Sequence, residues 1–275
     1  MHRLFVLAVM TMTAIGIASA SFVHGIGDDS NIYEFNANTG TSTLIHVTGL
    51  SSSQANAVAW DETRGNMFFR SPSGGNLYAW NRSTNTQVNL GDPGGGTSNA
   101  TFGNDAYWYV LDGTDDLYST TFTYDANGVA LSLSTSLAKS NFDGAQFSSF
   151  NFGDIAFRAQ DNSIYGSSGQ GLWKYDIGAQ SFQVLNANFN QLRQIAFSSD
   201  GNTLYAHNHN DGGWFTIDTT TWTESVLGNP QFKGAKLRDI GNASASSAVP
   251  EPGTISMIGF AGLLLLAGRW HRRKS

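Results

Sequence analysis

Cysteine is absent from the 275 residues, which excludes disulfides, thiolate metal sites and cysteine nucleophiles. Core burial and strand pairing must therefore supply the stability of whatever fold forms. Glu and Lys are scarce, while Gly, Ser, Thr and Asn abound and aromatics are frequent. No segment between the two ends carries a sustained 3.6-residue apolar period, so long amphipathic helices are not expected there. Basic residues are few as well. With Arg3, Arg269, Arg272, Arg273, Lys274 and Glu251 set aside, residues 21–249 hold ten Lys+Arg against twenty Asp+Glu, a net charge of −10. Such a surface repels phosphate backbones and has no basic stripe, which disfavours nucleic acid as a partner. The same charge favours solubility. Also missing are Gly-x-Ser-x-Gly, His-Glu-x-x-His and a dinucleotide fingerprint.

What is present begins with two ends that look like processing segments. Met1-His2-Arg3 gives a short positive start, Leu4 to Ile17 is almost wholly apolar, and Ala18-Ser19-Ala20 offers small residues at the spacing a signal peptidase accepts. This order predicts a secretory signal peptide over 1–20, cleaved after Ala20. Without it and the tail from Pro250, about 230 residues remain, enough for one large β domain or two small ones.

Within that middle region four segments superpose: 31–45 (NIYEFNANTGTSTLI), 76–90 (NLYAWNRSTNTQVNL), 171–185 (GLWKYDIGAQSFQVL) and 213–227 (GWFTIDTTTWTESVL). Each is a strand ending in Asn or Asp (Asn36, Asn81, Asp176, Asp218), a polar turn, and a second strand ending in Leu or Ile. The Asn or Asp stands where the chain reverses, and its side chain can accept from the backbone just ahead. A looser fifth copy starts at Asp116-Leu117-Tyr118 and turns through Asp125–Gly128. Upstream, Asn56-Ala57-Val58-Ala59-Trp60, Gly153-Asp154-Ile155-Ala156-Phe157 and Arg193-Gln194-Ile195-Ala196-Phe197 form an alternating strand, followed by a turn and a third strand. One unit is thus four short antiparallel strands, recurring every 40 to 55 residues or so.

The first copy, Phe22 to Val47, lacks the alternating strand in front of it, and Leu237-Arg238-Asp239-Ile240 resembles that missing strand. A last strand completing the first unit would remove the open edge of an unclosed array. The expectation is an all-β fold over 21–241: a β-propeller of five four-stranded blades closed by a C-terminal strand. Over 22–241 the sequence resembles the broad propeller superfamily of tryptophan-aspartate, kelch-like and NHL-like repeats. A β-sandwich or jelly roll is the alternative, since its short strands come at similar spacing; the recurrence of a whole unit favours the propeller.

After a small-residue linker assigned to 242–248 come Val249-Pro250-Glu251-Pro252-Gly253, an apolar run, and Arg269-Trp270-His271-Arg272-Arg273-Lys274. The prolines keep Pro250–Pro252 extended, as a protease groove requires. Residues 254–270 predict a C-terminal hydrophobic helix at the short end of what crosses a bilayer, and the cluster holding Arg269, Arg272 and Arg273 keeps its far end in the cytoplasm. This tail, 249–275, resembles the PEP-CTERM sorting signal of Gram-negative bacteria. The resemblance implies transient residence in the inner membrane, then cleavage near Pro-Glu-Pro by an exosortase-type enzyme. It also implies a final place at the cell surface or outside the cell, in bacteria that make exopolysaccharide. An ordinary single-pass anchor is the alternative.

Candidate chemistry is sparse. His207 and His209, two apart with Asp211 nearby, can share an ion if they lie on one strand face, but a third clear ligand is missing and the stretch is turn-prone. Asp154 and Asp239 occupy matching positions in the innermost strands, beside Arg193 and Arg238. They either converge on the channel as an acid and a base or bond a neighbouring blade's backbone. Gly91–Thr97 lacks the Lys and helix of a phosphate loop and reads as a flexible connector. Asp112–Asp116 and Asp125–Gly128 lack the full ligand alternation of calcium loops and read as turns. Hence no catalytic residue, metal site or cofactor is assigned. Two functions stay open: a surface or matrix protein binding polysaccharide or protein, with Trp108, Trp173, Trp214 and Trp222 as candidate sugar-stacking rings, or a carbohydrate-active enzyme using channel carboxylates.

Overall fold

A computed structural model describes residues 21–71, 75–111, 113–147 and 152–245. The expectations for 1–20 and 246–275 lie outside the described residues. The first sheet starts with β1 (Ser21–Gly27), β2 (Ile32–Asn36) and β3 (Thr41–His46). The second holds β4 (Asn56–Asp61), β5 (Asn66–Arg70), β6 (Leu77–Asn81) and β7 (Thr86–Gly91). The third holds β8 (Ala100–Gly103), β9 (Ala106–Val110), β10 (Leu117–Tyr124) and β11 (Ala130–Lys139). The fourth comprises β12 (Phe152–Arg158), β13 (Ser163–Ser168), β14 (Gly171–Asp176) and β15 (Ser181–Asn186). The fifth comprises β16 (Gln194–Phe197), β17 (Leu204–Asn208), β18 (Gly213–Ile217) and β19 (Glu224–Val226). Then β20 (Leu237–Ala245) pairs antiparallel with β1, giving the first sheet the order β20-β1-β2-β3.

The chain is therefore a five-bladed β-propeller of four-stranded antiparallel sheets. Among the described residues there is no α-helix, and none is long and apolar enough to cross a membrane. Leu237–Ile240, the stretch resembling the missing strand, lies opposite β1 with Ile240 facing Gly25 and Leu237 facing Gly27. The strand extends further than expected: 242–245, assigned from sequence to a linker, belong to β20, and the register sets Ala245 against Ser21.

Each sheet is apolar on both faces, so burial needs a neighbour on either side. Five buried clusters fill the gaps between blades. Trp108 and Phe142 meet Phe157 and Trp173 between the third and fourth, and Val23 and Phe35 meet Tyr205 and Trp214 between the fifth and first. The fit is close: a Cβ on Gly166 would lie 2.0 Å from the Trp173 ring. The outermost strands β3, β7, β11, β15 and β19 carry exposed and half-buried residues, with Ala130 alone buried among them, as edges facing water do. At the hairpins the repeated Asn/Asp does the expected work. Asn36 Oδ1 accepts from Asn38 N–H at 2.9 Å, Asn81 Oδ1 from Ser83 and Thr84 at 3.1 Å, Asp176 Oδ1 from Ala179 at 2.8 Å, and Asp218 Oδ1 from Thr220 at 2.8 Å.

Candidate functional site

The innermost strands β4, β8, β12, β16 and β20 each lie against the inner strands of adjacent blades around a central channel. One end of that channel opens into a depression of about 320 Å³. Four blades contribute a strand end and its turn, residues 60–63, 102–105, 157–160 and 197–199 with Gly201, and the first contributes Asn242 and Ala243 of β20. At the equivalent position of four blades stands an aromatic ring, Trp60, Phe102, Phe157 or Phe197, each no more than 9% exposed. The first blade substitutes Asn242. Its Oδ1 accepts from Phe197 N–H at 3.1 Å and its Nδ2 donates to Phe157 O at 2.7 Å, so one amide ties three blades at the mouth. Charge at the rim is largely committed. Arg64 donates to Asp61 at 3.3 Å and to Asp105 at 2.8 Å, and Arg158 Nε donates to Gly201 O at 3.0 Å. Burial pushes the Asp61 carboxyl up.

Three residues further along the strands, about 10 Å from the mouth, the structure brings Asp154 and Asp239 together. Both are fully buried and their side chains are hydrogen-bonded to each other. Asp154 also accepts from Ile155 N–H at 2.7 Å and, across the blade gap, from Ile195 N–H at 3.0 Å. Asp239 accepts from Ile240 N–H at 2.9 Å and, across another gap, from Val58 and Ala57 N–H. The positive φ of Ala57 (51°), beside a register shift in β4, accompanies two successive amides bonding one carboxyl. Burial drives both carboxyls above their ordinary range, and for Asp154 the neighbouring Asp239 charge adds to it. Both sequence alternatives for these residues thus meet in one place: they converge, and they bond neighbouring blades. Arg193 is turned elsewhere, in a two-point ion pair with Glu224 (2.8 and 3.0 Å) over the Phe215 ring.

The histidine pair does not converge. His207 is buried, leans on Trp214 and accepts Leu237 N–H at 3.0 Å, and desolvation holds its pKa down at about 3. His209 lies beyond the end of β17 and pairs with Asp28 at 2.8 Å, while Asp211 accepts from Gly213 N–H. Among the described residues no three His, Asp or Glu side chains gather as metal ligands. Asp125 caps its own turn, accepting from Asn127 and Val129 N–H at 2.8 Å. Asp112 lies outside the described residues. Of the candidate stacking rings, Trp173 and Trp214 are wholly buried and Trp108 nearly so, which makes them blade core; Trp222 is half-buried against Tyr165. The sorting residues Ala18, Ala20, Val249, Pro250, Glu251, Pro252, Arg269, Arg272 and Arg273 lie outside the described residues.

The Gly91–Thr97 connector is less free than its composition suggests, a feature that sequence reading missed. The guanidinium of Arg70, fully buried, donates to the carbonyls of Gly94 (3.3 Å), Gly95 and Gly75 (3.3 Å) and to Asp92 (3.4 Å), over the Tyr109 ring. Tyr109 Oη donates to Pro93 O at 3.0 Å. Removing the guanidinium strands several carbonyls. Arg70→Ala is expected to cost on the order of 3 kcal/mol, read as a lower urea midpoint, together with proteolytic cleavage within 92–97. An unchanged midpoint would show the connector to be independent of Arg70.

The chain matches no family model and no curated protein. Among solved structures it is similar to a chain in the crystal structure of a nidogen/laminin complex, at 12% identity over 82% of this chain and 84% of that chain, with a TM-score of 0.49.

Proposed function

We propose that the protein is exported, sorted through its C-terminal tail, and displayed at the cell surface or in the extracellular matrix, where the propeller binds polysaccharide or another protein. The sealed state of Asp154 and Asp239 carries the choice of a binder over an enzyme. Glycosidases hold their two carboxyls about 5 to 9.5 Å apart with substrate or water between them. Here the pair is in hydrogen-bond contact, fully buried, and bonded to backbone amides besides. The mouth lined by four turns and by Asn242 and Ala243 of β20 is open to a partner. A glycan-array and hydrolysis screen on residues 21–249 tests this: binding without turnover is expected, and turnover would favour the carbohydrate-active enzyme.

Export rests on the Leu4–Ala20 sequence and sorting on the Pro250–Pro252 tail with its basic end. N-terminal sequencing of the mature protein should start at Ser21. Exchanging Pro250 and Pro252 for Ala should leave an uncleaved form held in the inner membrane, seen as a larger band in the membrane fraction of the native host. Normal release of that variant would argue for an ordinary anchor over an exosortase-type processing enzyme. In the same reading the β20–β1 pairing closes the ring by joining the two ends of the domain in one blade.

A further inference from the structure

We propose that Asp154 and Asp239 share a single proton that locks four of the five blades across the channel, so that the propeller loses stability steadily as its surroundings pass from neutral to alkaline. The geometry calls for that proton. Two carboxyls with no exposure are hydrogen-bonded to each other, and two bare carboxylates have only acceptors to offer. Position decides which one carries it. Asp239 accepts from three backbone amides, Ala57, Val58 and Ile240, and Asp154 from two, Ile155 and Ile195. The better-solvated Asp239 is the anion and Asp154 the acid that donates to it. Asp154 reaches from the fourth blade to the fifth, and Asp239 from the first to the second. Loss of the proton would therefore set two like charges face to face at the point where these four blades meet.

Few other charges can substitute for the proton. In β4, Asn56–Trp60 contains no titratable side chain, and Asp61 at its end is held by Arg64. β8 has none, and β16 has none in Gln194–Phe197, the preceding Arg193 being paired with Glu224. Tyr107 on β9 lies near enough to feel both carboxyls, but its own proton is bonded to Ala57 O at 2.9 Å and burial raises its pKa further. Arg238 adjoins Asp239 in sequence on β20, and Arg70 is tied to the 92–97 connector.

The sign follows from linkage. A group protonated in the folded state and ionised in the unfolded one gives stability that is present at low pH and lost as pH rises towards its folded pKa. Buried His24 and His207, held neutral, act in the opposite direction but only below their ordinary range. The clean window is thus between about pH 7 and about pH 9. Across it the melting temperature of residues 21–247 should fall by about 3–5 °C per pH unit. Asp154→Asn keeps a neutral donor beside Asp239 and removes Asp154's own ionisable proton, so its melting temperature should fall less steeply over the same window. Parallel slopes in the two proteins would overturn the proposal. If that variant fails to fold, infrared spectra of the unaltered domain decide: a protonated-carboxyl carbonyl band present at neutral pH and lost on alkalinisation is expected, and its absence overturns the lock. A melting temperature raised by calcium or magnesium chloride and lowered by EDTA would assign the pair to a cation and overturn it equally.

Discussion

Deleting residues 236–245 is expected to abolish cooperative unfolding of the propeller, leaving an aggregated or molten product. The segment is short, but β20 carries an unusual share of the interactions. It supplies one neighbour for β1 along its whole length. It buries Leu237, Ile240 and Ala243 against the fifth blade, positions Asp239 beneath Val58, and lends Asn242 to Phe157 and Phe197. Burial of a Leu or Ile is worth about 1.5–3 kcal/mol and each net hydrogen bond about 1 kcal/mol, against a whole-domain stability of about 5–15 kcal/mol. The sum lost is comparable with the total. A control chain ending at Ser247 should melt as a single cooperative unit. If the deletion lowered the melting temperature by no more than about 2 °C, less than 1 kcal/mol on this size of domain, closure through β20 would be wrong.

Trp214→Ala should be the most damaging single substitution among the tryptophans. The indole is wholly buried, stacks on Phe35 of the first blade at 3.7 Å with the rings 3° from parallel, and touches His207 at 4.6 Å. It therefore joins the fifth blade to the first, beside the β20 pairing. Emptying that site costs about 3–5 kcal/mol, a fall in melting temperature on the order of 10 °C for a domain of this length. Trp222→Ala, at a half-buried ring stacked on Tyr165, should cost about 1 kcal/mol. Equal effects from the two would contradict the core assignment. Glycan binding lost by Trp214→Ala at unchanged stability would return the ring to the sugar-stacking role first considered for it.

Much of the architecture is legible before folding because it is local. The turn residues Asn36, Asn81, Asp176 and Asp218 act within three residues of themselves, and strand alternation repeats every second residue. The third unit is where the reading thinned. Its inner strand β8, Ala100-Thr101-Phe102-Gly103, is only four residues long and offers one large apolar side chain, so it lacks the Ala-Val-Ala-Trp signature of its equivalents. It is nonetheless placed by tertiary bonds, for instance Thr101 Oγ1 accepting from Phe157 N–H at 2.8 Å.

The sequence by itself determined the all-β class, the five-unit repeat, the turn caps and the absence of cysteine chemistry, since each depends on neighbours a few residues apart. Only the tertiary structure decided the fate of side chains whose partners are far along the chain. Asp239 meets the Val58 amide 181 residues away, Arg70 anchors a connector more than twenty residues on, and His207 and His209, two residues apart, part company because one is buried against Trp214 and the other stands in a turn. Spacing along a chain carries no distance across a ring. Which carboxyls meet in the channel is set by how five sheets pack around it.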